Sequence, residues 1–79
     1  MQLLERITYK GYEIRIYRTL TGQMLRAYKD HRPCYPLLSV DYNHHKDVKI
    51  KNDREGIDIL ISYFVNQVDR DLLIPQSSG

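Results

Sequence analysis

The stretch of sequence that decides the fold is ITYKGYEIRI, residues 7–16, because its hydrophobic positions change parity halfway along. The apolar and aromatic side chains occupy odd positions before Lys10-Gly11 and even positions after it: Ile7, Tyr9, Tyr12, Ile14 and Ile16. One continuous strand would place the two sets on opposite faces of a sheet. A two-residue hairpin turn at Lys10-Gly11 places both sets on one face, and Gly11 supplies the positive φ that such a turn requires. We therefore predict strands over residues 3–9 and 12–18.

A third strand is predicted over residues 23–29, after a turn at Thr19-Leu20-Thr21-Gly22. In this segment Leu25 and Ala27 alternate with bulkier or more polar side chains, those of Met24, Arg26 and Tyr28. Because burial of an unpaired arginine is costly, we expect Leu25 and Ala27 to face the core.

Two registers fit this second hairpin. A four-residue loop pairs Arg15 with Arg26, and the first hairpin pairs Arg6 with Arg15. A two-residue turn at Thr21-Gly22 instead pairs Arg15 with Tyr28 and Tyr17 with Arg26, which gives ordinary cation–π packing on a solvated face. The sequence leaves both registers open.

The next part of the chain is less regular. Residues 30–36 include two prolines and are predicted to form a turn. A fourth strand is expected over residues 37–42, with Leu38, Val40 and Tyr42 facing inward. Residues 43–52 are predicted to form a polar, basic loop.

The last third of the chain has the periodicity of a helix. Asn52 is the expected N-cap, because Glu55 follows three residues later at the spacing of a capping box. Apolar residues then recur in steps of three and four as far as Leu72, and Pro75 is expected to stop the helix. The stripe consists of Ile57, Leu60, Ile61, Phe64, Val65, Val68 and Leu72.

These elements predict an α+β fold: an antiparallel β-meander of about four strands, in the order β-β-β-β-α, with one long C-terminal helix packed on one face. Residues 1–74 are expected to form a single domain, and residues 75–79 a flexible C-terminal tail. Phe64 should be among the most buried residues. The other face of the sheet is expected to lie open to water, as antiparallel sheets allow.

Length and motif content argue against catalysis. A chain of 79 residues has little room for a deep pocket of its own. It also lacks a nucleophile elbow and any glycine-rich phosphate-binding motif. We therefore predict no enzyme, no catalytic residue and no cofactor. No metal site is predicted either, because His31, Cys34 and the adjacent His44 and His45 do not form the paired, cysteine-rich spacing of structural zinc sites.

The net charge of +2 is unevenly distributed. Residues 1–52 carry ten basic and five acidic side chains, whereas residues 53–79 carry two and five. Such asymmetry favours polyanion binding by the basic part. The single cysteine excludes an internal disulfide and suits a reducing compartment. No apolar run is long enough to cross a membrane, so we expect a cytoplasmic protein without a membrane partner.

The uncovered sheet face supplies the first candidate site. In the four-residue-loop register, Arg6, Arg15 and Arg26 form a row across three strands, flanked by Tyr17 and Tyr28. Like charges directly opposite on a sheet are destabilising, and a bound anion would offset this. Arginine and aromatic side chains on a sheet are also typical of single-stranded nucleic-acid binding. Against a special role, long arginines extend into water at little cost.

A second candidate site lies on the helix, where Ile59 and Tyr63 fall off the apolar stripe and would suit a protein interface or a homodimer. The favoured hypothesis is a small non-catalytic module with a protein-interaction or regulatory role, because the core is small, one sheet face is uncovered and apolar residues lie off the helix stripe. The alternative is nucleic-acid binding through the arginine and tyrosine side chains of the open sheet face.

Overall fold

The computed structural model describes residues 2–35, 37–42, 50–70 and 74–75. Its elements follow the order β1 (Gln2–Tyr9), β2 (Tyr12–Arg18), β3 (Gly22–Lys29), β4 (Arg32–Tyr35), β5 (Leu38–Asp41), α1 (Asp53–Asp69) and β6 (Ile74–Pro75). The strands form an antiparallel sheet followed by one helix, which confirms the predicted α+β meander.

The first hairpin has the predicted register. Tyr9 pairs with Tyr12 and Ile7 with Ile14 across the turn at Lys10-Gly11. Gly11 has a φ of +84° and Lys10 a φ of +49°, the combination of a type I′ turn. The parity change in the sequence therefore does mark a hairpin.

The second hairpin takes the four-residue-loop register, so the alternative with a two-residue turn at Thr21-Gly22 is wrong. Arg15 pairs with Arg26 and Ile16 with Leu25. The loop closes on itself, because the Thr19 amide donates to the Gly22 carbonyl at 2.9 Å and the Gly22 amide donates to Thr19 Oγ1 at 3.0 Å.

The fourth strand predicted over residues 37–42 is confirmed as β5 (Leu38–Asp41), but an additional short strand precedes it. Residues 32–35, expected to lie in a turn, form β4 and pair with the end of β3 through Tyr28 opposite Pro33. The turn before β4 is tighter than expected, since Asp30 and His31 both have positive φ. β5 then pairs with the beginning of β3, from Leu38 opposite Leu25 to Asp41 opposite Gly22. Thus the edge of β3 that faces away from β2 pairs with two successive segments, β4 and β5.

One close approach of backbones occurs where β5 ends. A Cβ added to Gly22 would lie 2.9 Å from Asp41 Cα and would overlap the carbonyl oxygen of Val40. The Tyr42 amide donates to the Thr21 carbonyl at 3.0 Å and closes the pairing at this end. Glycine is therefore required at position 22 by space, not by its φ.

The core lies between the sheet and α1. β2 alternates buried and half-buried residues, so that Tyr12, Ile14 and Ile16 face the helix. From α1 the buried residues are Gly56, Ile57, Leu60 and Phe64. Phe64 is fully buried, as predicted, and meets the rings of Tyr9 and Tyr12 edge-on at centroid distances of 6.3 and 5.6 Å.

The helix begins as predicted but ends earlier. The Asn52 side chain accepts a hydrogen bond from the Glu55 amide at 3.0 Å, which confirms the N-cap. The helix ends at Asp69 with Arg70 as its C-cap, not near Leu72, which lies outside the described residues. Ile74 and Pro75 form β6 and pair with β4, so the chain has already left the helix before Pro75.

A buried polar network fixes the start of α1 to the sheet. Gln23 is completely buried, and its Nε2 donates to the Tyr42 hydroxyl at 2.7 Å and to the Asp53 carbonyl at 2.8 Å. The Tyr42 hydroxyl in turn donates to the Asp53 carboxylate, which also pairs with Arg18. Gln23 Oε1 has no hydrogen-bond partner among the described residues. The other end of α1 is joined to the first hairpin by an exposed ion pair, in which Lys10 Nζ lies 2.8 Å from the Asp69 carboxylate.

Candidate binding surface

The sheet face that points away from α1 carries both charged and apolar side chains. We define the open face by the strand residues that alternate with the core residues and keep register with one another. These residues are Leu3, Arg6, Thr8, Glu13, Arg15, Tyr17, Gly22, Met24, Arg26, Tyr28, Pro33, Ser39 and Asp41. The five candidate residues Arg6, Arg15, Tyr17, Arg26 and Tyr28 all lie on it.

Three arginines cross the middle of the open face in one row. Arg6 is opposite Arg15, and Arg15 is opposite Arg26. Such a row is unfavourable without counter-charge, because like charges directly opposite on a sheet repel. The row is therefore a place where a negative group is stabilised.

Glu13 supplies part of that negative charge. Its Oε2 accepts hydrogen bonds from Arg15, at 2.7 Å from the terminal nitrogen and 3.1 Å from Nε. Its Oε1 lies 3.4 Å from Arg6 Nε. A hydrogen bond to Tyr17, together with the Glu13 carboxylate, raises the pKa of Arg15. One carboxylate thus serves two of the three arginines.

The two tyrosines are diagonal neighbours of the arginines and stack with them. The Arg15 guanidinium lies 4.7 Å from the centroid of the Tyr28 ring, and that of Arg26 lies 5.7 Å from the Tyr17 ring. These are cation–π distances. The same two pairs that the rejected register placed directly opposite therefore meet diagonally in the observed one.

Arg26 differs from its two neighbours in the row. Among the residues that the structure describes, no carboxylate lies within 4.0 Å of its guanidinium. Its described interaction is the contact with the Tyr17 ring, which occupies a face of the guanidinium and leaves its N–H donors in the plane.

Two depressions lie on either side of Tyr28. One, of about 430 Å³, is lined by Gly11, Glu13, Arg15, Tyr28, Asp30 and His31 at the turn end of the sheet. The other, of about 320 Å³, is lined by Arg26, Ala27, Tyr28, Pro33 and Leu37. The first contains two carboxylates beside one arginine, whereas the second contains one arginine and largely apolar walls.

The helical candidates Ile59 and Tyr63 are only half-buried, and both pack against the core. Ile59 was predicted to fall off the apolar stripe, whereas in the structure it contacts the core. A role for this pair in an interface stays a prediction.

Cys34 and the histidines do not form a reactive centre in the described part of the chain. Cys34 is 1% exposed, and burial raises the pKa of its thiol, which keeps the thiol protonated. No group of three or more His, Cys, Asp or Glu side chains within residues 2–35, 37–42 and 50–70 is arranged to hold a metal ion. His44 and His45 lie outside the described residues.

Sequence reasoning missed two apolar residues near the arginine row, Leu3 and Leu37, and it missed the strand β4. Leu3 reaches the open face opposite Tyr17 because β1 contains an irregularity between Leu3 and Glu5, which shifts the register by one residue. Leu37 is 49% exposed at the gap between β4 and β5. The bulge has no sequence signal, whereas the two prolines of residues 30–36 indicated an interruption near the gap and the alternation in β3 indicated that Met24 shares a face with Arg26.

No α-helix among the described residues is long and apolar enough to cross a membrane. In comparisons with known proteins, no family model, no curated protein and no solved structure matches this chain. The reading of the surface therefore rests on its own geometry.

Proposed function

We propose that this chain is a small non-catalytic binding module, and that the open face of its sheet is the surface on which a protein partner binds. The observation that carries the proposal is the composition of that face. Its cations within the described strands are all arginines, and they alternate with Tyr17, Tyr28, Met24 and Leu3. Arginine, tyrosine and methionine are enriched in protein interfaces, whereas lysine is depleted.

The stacking geometry also favours a protein partner. The rings of Tyr17 and Tyr28 each have a guanidinium over them, at 5.7 and 4.7 Å. Such pairs act as preformed, rigid contact area, because neither side chain has to be ordered again on binding. A nucleic-acid base that stacked on either ring would compete with the guanidinium for that face. A free thiol in the core, that of Cys34, supports the proposal of a cytoplasmic location.

The test is site-specific crosslinking. We expect a photo-reactive benzoylphenylalanine at position 24, on the open face, to capture a discrete protein from nuclease-treated lysate of the native host. The matched control has the same group at position 62, because Ser62 is exposed on α1. Unlabelled wild-type chain should compete for capture. A Tyr17→Asp chain should not compete, because the substitution introduces a carboxylate next to Met24 that partner binding would bury without a counter-charge.

Equal capture from positions 24 and 62, or capture that Tyr17→Asp competes for as well as wild type does, would contradict the proposal. Such a result would move the interface elsewhere, and Ile59 and Tyr63 on the helix would then be the next surface to probe.

Nucleic-acid binding is the second candidate, favoured by the excess charge of the open face, three arginines against the two carboxylates of Glu13 and Asp41. If it holds, the wild-type chain binds a fluorescent single-stranded 12-mer near 50 mM salt, measured by anisotropy. The double variant Arg15→Ala/Arg26→Ala then binds more weakly, and its salt dependence flattens by about two phosphate contacts. Folding should be unaffected, because the substitutions remove a like-charge pair. Absence of binding by the wild-type chain at this salt excludes this candidate.

A further inference from the structure

We propose that Arg26 and the depression beside it bind one acidic side chain of the protein partner together with a neighbouring apolar side chain. The inference rests on the proposed function and adds the chemistry of the partner segment: an aspartate or glutamate whose carboxylate meets the Arg26 guanidinium, and an apolar residue next to it that enters the depression lined by Pro33 and Leu37.

The shape of the site comes from the split in the strand that follows β3. Between the pairs Leu25–Leu38 and Tyr28–Pro33, β3 contributes two residues and the facing chain four. The register therefore differs by two residues between β4 and β5, and a depression of about 320 Å³ lies beside Arg26 and Tyr28, with Pro33 and Leu37 in its lining. This volume is at the lower end for ligand pockets, which span roughly 300–1,000 Å³, so it suits one large side chain better than a cofactor.

Charge selects the carboxylate. Arg6 and Arg15 already share Glu13, whereas Arg26 has no carboxylate within 4.0 Å among the described residues. A guanidinium whose face rests on a tyrosine ring still presents its in-plane N–H donors, and two of these fit the two oxygens of a carboxylate. A partner carboxylate also supplies counter-charge at the end of the arginine row, where the described part of the chain offers none within 4.0 Å.

The apolar half of the site selects the neighbouring residue. Leu37 is 49% exposed and borders the depression together with Pro33. An apolar side chain placed there covers exposed hydrocarbon and excludes water from the charged pair beside it, which strengthens that pair. The larger depression on the other side of Tyr28 is a poorer site for a carboxylate, because Glu13 and Asp30 already line it.

A protein segment fits this site better than a nucleic acid does. A polyanion gains from several unpaired cations in sequence, whereas two of the three arginines on the open face are already paired with Glu13. Arg26, the one arginine of the row without a carboxylate partner among the described residues, lies beside an apolar pocket and so matches a single acidic residue next to an apolar one.

The experiment is selection of a displayed random decapeptide library on the full chain, followed by affinity measurements with the best synthetic peptide. We expect enriched sequences with Asp or Glu within two positions of Leu, Ile, Met or Phe. Arg26→Gln should weaken the peptide about tenfold or more, and so should replacement of the peptide's acidic residue by its amide. Combining both changes should cost little more than either alone, because each removes the same contact. Leu37→Ser should weaken binding several-fold, while the matched control Arg54→Gln, at an exposed position on α1, should stay within about twofold.

Peptides that bind the open face but contain no enriched acidic residue overturn the inference, and so does binding that Arg26→Gln leaves unchanged. In both cases capture at position 24 can still succeed, so the proposed function survives. A selection without any binder, together with no capture at position 24, overturns both. Binding of the single-stranded 12-mer that is lost in Arg26→Gln, with no acidic peptide selected, assigns Arg26 to nucleic acid instead.

Discussion

Replacing Phe64 with alanine is expected to lower the free energy of unfolding by about 3–5 kcal/mol. That is most of the roughly 4–8 kcal/mol expected for a domain of this size. The side chain is fully buried between α1 and the sheet, and its ring meets the rings of Tyr9 and Tyr12 edge-on. The substitution therefore leaves a cavity and removes two aromatic contacts together. Urea denaturation followed by circular dichroism measures the loss.

Two variants serve as controls for this result. Phe64→Leu retains most of the buried volume, so it should cost about 1–1.5 kcal/mol. Ser62→Ala, at an exposed position two residues earlier, should change stability by less than about 0.5 kcal/mol. If Phe64→Ala melts within a few degrees of the parent, the helix does not pack on the sheet through this residue.

The second large effect is expected at Gly22, where alanine should cost about 3 kcal/mol or more. The added Cβ would overlap the Val40 carbonyl oxygen and approach Asp41 Cα to 2.9 Å. Both obstacles are backbone atoms, so no side-chain rotation relieves the overlap, and β5 has to separate from β3. Thermal denaturation should show the loss, and the amide of Tyr42, which bonds to the Thr21 carbonyl, should lose its protection from hydrogen exchange.

Thr21→Ala is the matched control, because Thr21 is exposed and its backbone bond to Tyr42 remains. It should stay within about 0.5 kcal/mol of the parent. A Gly22→Ala chain as stable as the Thr21→Ala chain would show that β5 does not pass this close to β3.

The sequence predicted those parts of the sheet that follow from the alternation of apolar and polar side chains. Parity alone specified the first hairpin, since a slip by one residue would have turned Ile7 or Ile14 into water. The second hairpin was ambiguous, because either loop length keeps Leu25 and Ala27 on the core face. The structure chooses the four-residue loop, in which Thr19 bonds to Gly22 through both its amide and its hydroxyl.

Features that depend on local backbone geometry could not be predicted. Residues 32–35 were expected to lie in a turn, because Pro33 has no backbone N–H to donate to a neighbouring strand. The tight turn that precedes β4 was also hidden, because it has positive φ at Asp30 and His31 and contains no glycine. The burial of Gln23 was hidden for a different reason. A polar residue becomes a core residue only when partners from distant segments, here Tyr42 and Asp53, complete its hydrogen bonds.

The sequence predicted which arginine and tyrosine residues form the candidate surface, but it did not predict which of them are paired with a carboxylate. The row of Arg6, Arg15 and Arg26 followed from the register, and the flanking tyrosines from alternation. The pairing of Glu13 with two arginines depends on rotamers, and the exposed Leu37 depends on the break between β4 and β5. Those two details make Arg26 different from its neighbours, and they required the structure.

The pairing of β3 with segments close to it in sequence has a consequence for the order in which the chain folds. The ladders between β1, β2, β3, β4 and β5 join residues at most 19 positions apart, as between Gly22 and Asp41. Closing such short loops costs little chain entropy, so folding is fast for a protein rich in β-structure. The strands β1 to β5 can pair during synthesis, before α1 has emerged from the ribosome. Until the helix docks, the row of Ile14, Ile16 and Leu25 faces water, and this interval is when newly made chains are most prone to associate through the wrong face.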